Sequence, residues 1–150
     1  MIACIEQYNG LVAKLGNTWI DDATLLLVRL SLAGIFWRSG RTKVEEGSWL
    51  SLSDTTTYLF REEYSAIPIP LELAAYLATY SEHLFPVLIA IGLFTRLSAL
   101  ALLGLTMVIQ IFVYPDAWWT VHITWVALAT VLITHGGGKL TIDQILVNRT

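Results

Sequence analysis

Four long apolar runs dominate the chain, and its polar residues gather between them. The first extends from Ala23 to Trp37, broken only by Arg29, and continues to Gly40. The second, Leu71–Phe94, carries Glu82, His83 and Pro86. The third, Leu97–Pro115, has no charged residue, and the fourth, Ala117–Thr134, holds His122 as its one titratable group. Roughly 20 apolar residues cross a bilayer core. The pattern therefore predicts transmembrane helices over about 22–40, 71–94, 97–115 and 117–135. Turns as short as Thr95-Arg96 and Pro115-Asp116 make neighbouring helices antiparallel. The expected fold class is an all-α membrane protein, an antiparallel up-down four-transmembrane-helix bundle with short interfacial helices. A water-soluble bundle needs a polar stripe on every helix, and the third run has none wide enough.

The stretch between the first two spans, 41–70, is too rich in Trp49, Leu50, Tyr58, Phe60 and Tyr64 for a disordered linker. It is expected to be a structured loop folded onto the mouth of the bundle. Before the first span, Ile2, Ile5, Val12, Leu15 and Trp19 recur at roughly helical spacing, which predicts a short helix lying in the interface. Thr141–Leu146 reads as a second one. The run Gly136-Gly137-Gly138-Lys139 lacks the strand and the second half of a phosphate loop, so it is read as a flexible exit from the fourth span.

Composition agrees with one membrane domain over residues 1–150: 55% of the residues are hydrophobic and 14% charged, where a soluble domain carries about 25% charge. A formal charge of −3 with no basic stripe argues against a nucleic-acid partner. Cys4 is the one cysteine, so neither a dithiol nor a thiolate cage is available. The histidines show no metal-ligand spacing, and no metal site is expected. Positive charges divide evenly between the two faces, but Glu45, Glu46, Glu62 and Glu63 offset those of the loop. That asymmetry favours a multi-pass topology with both termini in the cytoplasm.

Ionisable groups inside a span are expensive and need partners or a wet cavity. At about 1.5 Å rise per residue, measured from the terminus side, Arg29 lies about 10 Å deep and Glu82 about 18 Å. Tyr80, Gln110 and His122 come at about 21 Å and Arg38 at about 24 Å. Arg29 shares its helix face with Ala33, Phe36 and Gly40, which makes it the natural partner of Glu82. Such a pair either locks helix register or serves a site, and both readings stand at this stage. His83 reads first as a packing residue, His122 as part of a polar-aromatic layer with Trp118 and Trp125, and Pro86 as a kink that opens space beside Glu82. The candidate polar site is thus Arg29, Arg38, Lys43, Tyr80, Glu82, Gln110 and His122, roofed by Glu63 and Tyr64. No catalytic residue can be named.

Several of these residues fall in strings that resemble the DoxX family of small membrane proteins. They are Arg29, Phe36-Trp37-Arg38-Ser39-Gly40-Arg41-Thr42-Lys43, Glu82 and Gly92-Leu93-Phe94-Thr95-Arg96. The strings Phe60-x-x-Glu63-Tyr64, Ala74–Thr79, Val108–Pro115 and Trp118 are similar to a bacterial branch that accompanies systems making metal-binding modified peptides under metal stress. The resemblance implies an inner-membrane four-helix protein, with relatives that serve a thiosulfate:quinone oxidoreductase or associate with oxidative-stress enzymes.

Three functions follow as expectations. The first is a redox-linked accessory subunit that meets a quinone; no cofactor motif is present, so a protein partner supplies the electrons. The second is a small transporter of a metal, anion or small molecule, which at this size needs a homo-oligomer. The third is a membrane anchor for a partner enzyme.

Overall fold

A computed structural model of the chain describes residues 18–148, together with Ile5, Glu6 and Gly10. Most of the interfacial helix expected before the first span, and Cys4 with it, lies outside the described residues. Between residues 18 and 148 the described α-helices are α1 (Thr18–Arg41), α2 (Asp54–Glu62), α3 (Leu71–Ile91), α4 (Thr95–Phe112), α5 (Ile123–His135) and α6 (Ile142–Val147). A 3-10 turn at Pro115–Ala117 and one π-helical turn at Trp118–His122 lead into α5. Among the described residues the only strand-like pairing is a single bridge between Val44 and Leu52.

The long helices close a ring: α1 packs on α3, α3 on α4, α4 on α5, and α5 back on α1. Leu32, Ala33 and Phe36 of α1, Ile89 of α3, Ala99 and Leu102 of α4, and Ala129 and Leu132 of α5 fill the centre. Alanines at three of these contacts let the backbones approach closely, as suits helices packed in lipid. Outward, Leu84, Val87, Leu97, Leu100 and Ile111 stand exposed, the surface a bilayer covers. Leu71–Ile91, Thr95–Phe112 and Pro115–His135 are each long and apolar enough to cross a membrane. The 24 residues of α1 reach about 36 Å, but Asp21, Asp22, Arg29, Arg38 and Arg41 interrupt its apolar character. By length and composition three of the four expected spans qualify.

The turn between α3 and α4 sits at Gly92–Phe94, three residues before the expected Thr95-Arg96, which form the first turn of α4 instead. Gly92 takes a left-handed conformation (φ 73°) and its N–H and that of Leu93 close the end of α3, as a helix-terminating glycine does. Phe94 follows at φ 50°. This costly geometry for a residue with a side chain is held by Asp143 of α6, whose carboxylate accepts the N–H of Phe94 at 2.8 Å and of Thr95 at 3.0 Å. Thr141 caps α6 through its hydroxyl.

Segment 41–70 holds the helix α2 and packs on α3. Ser53 caps α2 by accepting the Thr56 N–H, and Thr56 donates to the Lys43 carbonyl at 2.9 Å. Phe60 and Tyr64 then pack on Ala74, Ala75 and Ala78 of α3.

Candidate functional site

The expected site residues occupy four separate places. Arg29 is 1% exposed, and its guanidinium is bonded to carbonyls alone. Nε donates to Ile89 at 2.8 Å, Nη2 to Ala90, and Nη1 to Leu140 at 2.6 Å and Gly137 at 3.3 Å. Ile89 and Ala90 belong to the last turn of α3, whose carbonyls carry the negative end of the helix dipole. Arg29 therefore ties α1 to the end of α3 and to the chain after α5.

The pairing of Arg29 with Glu82 expected from depth is wrong. Side chains on a helix lean toward its N-terminus. Arg29 leans toward the terminus side of α1. Glu82, on a helix running the other way, leans toward the loop side. The two diverge.

Glu82 instead meets Lys43, which lies two residues beyond the end of α1. Lys43 Nζ stands 2.7 Å from Glu82 Oε2 and donates to the Ser39 hydroxyl at 2.9 Å and the Ser39 carbonyl at 3.4 Å. The side chains are 9% and 1% exposed. A turn closed by the Lys43 N–H on the Gly40 carbonyl folds Lys43 back over the bundle. Gly40 leaves room for this crossing, since a methyl there would stand 3.0 Å from the Glu82 carbonyl and the His83 ring. His83 Nδ1 lies 2.7 Å from the Thr79 carbonyl. A carbonyl can only accept, so that nitrogen carries the proton. His83 Nε2 and Thr79 Oγ1 are buried with no partner.

The ion pair borders a cavity of about 160 Å³ whose remaining walls are apolar. Phe60 and Tyr64, stacked at 4.2 Å, cover it from the loop, and Ala78, Leu105 and Ile109 line it. Leu77 also lines it and is half exposed on the outer face. Tyr64 lines the cavity on its loop side. Glu63 is exposed and acts indirectly, by accepting a hydrogen bond from the Tyr114 hydroxyl. Tyr114 crosses the Tyr64 ring edge-on. Burial, then the bond to Glu63, pushes the Tyr114 phenol up to about 12. Burial raises the Tyr64 phenol too, followed by the charges of Tyr114, Glu82 and Glu63.

Gln110 and His122 do meet, as their common depth suggested, but away from this cavity. Gln110 Oε1 lies 2.7 Å from His122 Nδ1, and Gln110 Nε2 donates to the Pro115 carbonyl at 2.7 Å. With Trp125 against the His122 ring at 5.0 Å, they tie α4 to the turn that opens α5. Neither lines the cavity of Glu82. Arg38 and Tyr80 are exposed; Tyr80 lies against Tyr76. They do not converge on Glu82, because equal depth says nothing about which way a helix residue faces. Ser39 and Phe60 belong to the site and were not singled out, although Ser39 and Lys43 at i, i+4 share a helix face.

The family model named DoxX matches residues 24–115. An uncharacterized protein of Haemophilus influenzae is 30% identical over 134 residues, which span 84% of this chain and 85% of that protein. No solved structure matches.

Proposed function

The chain belongs to the DoxX family, and from that premise we propose that it is a four-span protein whose Lys43–Glu82 pair receives the polar end of a small lipid-soluble ligand, a quinone head in the first place. The observation that carries this reading is the buried ion pair at the edge of an otherwise apolar cavity. A quinone needs a donor for its carbonyl oxygen and an apolar slot for its ring. Lys43 supplies the donor, the flat Phe60–Tyr64 stack covers the slot, and the half-exposed Leu77 stands where a tail passes to lipid. Reducing a quinone takes two electrons and two protons. A partner protein supplies the electrons, and Glu82 passes protons.

The fourth span in this proposal is α1. Its one charge in mid-helix, Arg29, has its donors satisfied by carbonyls, which removes most of the penalty for a cation at membrane depth. Arg41 sits at the helix end, donating to the Ser48 carbonyl and lying over the Trp49 ring, an arrangement suited to the interface. We place the protein in the bacterial inner membrane with the 41–70 segment outside, and read its role as accessory to metal or oxidative stress handling. Labelling of a cysteine at Ser53 by an impermeant reagent in intact cells, after removal of Cys4, tests that topology.

Binding is tested by titrating a short-tailed ubiquinone analogue into the purified full chain and following Trp fluorescence. Wild type is expected to saturate. Ala78→Leu, which fills the cavity and leaves the ion pair intact, is expected to abolish binding with an unchanged melting temperature. Equal binding by the two proteins refutes the site. Full complementation of a deletion strain by Lys43→Met/Glu82→Leu makes the protein an anchor.

A further inference from the structure

A second cavity lies at the opposite end of the bundle, where the Gly-rich exit from α5 crosses the start of α4. It measures about 560 Å³ and is bordered by Arg96, Asp22, Asp143 and the turn Gly136–Lys139. We propose that it binds the phosphate of an anionic phospholipid.

The charges favour an anion. Both carboxylates are already turned onto backbone donors. Asp143 accepts the N–H groups of Phe94 and Thr95 and the Thr95 hydroxyl, and Asp22 accepts the Lys139 N–H at 2.8 Å. The cations are freer. Arg96 is exposed and spends Nη1 on the Ile133 carbonyl at 3.1 Å, while its Nε and Nη2 edge lies over Gly136. The Lys139 side chain is 63% exposed, and its Nζ stands 3.9 Å from Asp22, a loose pair. Arg29 lies directly beneath Gly137. The lining itself carries two cations and two carboxylates, and the buried Arg29 adds a third positive charge beneath it. A planar guanidinium with an open edge suits phosphate oxygens.

The setting selects a lipid over free phosphate. Arg96 is in the first turn of α4, and Lys139 lies just beyond the end of α5. Both therefore stand where the apolar helices end, at headgroup level. Phe94 and Leu97, 61% and 62% exposed, flank the same cavity, offering an apolar surface on which acyl chains can lie. The glycines keep the cradle open: Gly136 and Gly138 have φ of 78° and 80°, which favours glycine there. A methyl at Gly137 would stand 2.6 Å from Thr141.

The test is native mass spectrometry of the full chain, released from micelles doped with phosphatidylglycerol or with phosphatidylcholine of the same chains. Preferential retention of phosphatidylglycerol is expected. Each surface cation removed should weaken it about fivefold, so Lys139→Gln lowers retention and Arg96→Gln/Lys139→Gln lowers it further. Asp22→Asn keeps an acceptor for the Lys139 N–H, removes a competing charge, and should raise retention by a similar factor. Should the Arg96 variant fail to fold, Lys139→Gln and Asp22→Asn decide by themselves. Equal retention of the two lipids, or a preference that neither variant moves, overturns the proposal. Displacement of the lipid by millimolar inorganic phosphate also overturns it and makes this a free-phosphate site.

Discussion

Replacing Lys43 by Met is the sharpest perturbation of the candidate site. It strands the Glu82 carboxylate, which is 1% exposed. At 2.7 Å and an effective dielectric of about 20, the gross attraction is about 6 kcal/mol. Desolvation of both groups offsets most of it, so the net worth of the pair is small, whereas losing one partner costs about 3–5 kcal/mol. Lys43→Met and Glu82→Leu are each expected to destabilise by that amount, and Lys43→Met/Glu82→Leu to lie near wild type. The coupling energy from the cycle is then about 6 kcal/mol or more. Reversible unfolding in mixed micelles, followed by Trp fluorescence, measures it. Arg29→Leu serves as the contrast. It leaves the carbonyls of Ile89, Ala90 and Leu140 without their charged donor, and its effect should add to that of Glu82→Leu within about 0.5 kcal/mol. Additive Lys43 and Glu82 effects, or strong Arg29–Glu82 coupling, refute the assignment of partners.

Two further outcomes follow from packing and titration. Gly40→Ala is expected to destabilise by about 1–3 kcal/mol, because its methyl meets the Glu82 carbonyl and the His83 ring at 3.0 Å. Gly104→Ala, with nothing within 4 Å, should be neutral or slightly stabilising in the same unfolding assay. The Tyr114 phenol, pushed up from the ordinary phenol value of about 10 to about 12, stabilises the roof fully below pH 10. That contribution is lost as pH rises from 10 through about 12. Limited proteolysis of segment 41–70 should accelerate over that window in wild type, and Tyr114→Phe should remove that part of the pH response.

Depth was legible in the residues, and facing was not. Gln110 and His122, both placed about 21 Å deep by helical rise, do bond at 2.7 Å. Tyr80 at the same depth points outward. Where a helix is apolar nearly all round, its pattern carries little angular information. The face of α1 is the exception: Arg29, Ala33, Phe36, Gly40 and Lys43 continue one stripe, and all are buried. Followed past the helix end, that stripe identifies Lys43 as an inward residue. Of the aromatic residues of 41–70, Phe60 and Tyr64 are the ones that pack on α3 and line the cavity. The partners of Arg29 and Asp143 were out of reach, because all but the Thr95 hydroxyl are backbone groups and all are brought close only by the tertiary fold.

Photoaffinity labelling with an azidoquinone in native membranes tests the site most directly. Label should map by peptide sequencing to residues 60–69 and 105–109, which flank the cavity, and should disappear with excess unlabelled quinone or with Ala78→Leu. Label confined to other segments, or unmoved by competitor, contradicts a quinone site at Lys43–Glu82.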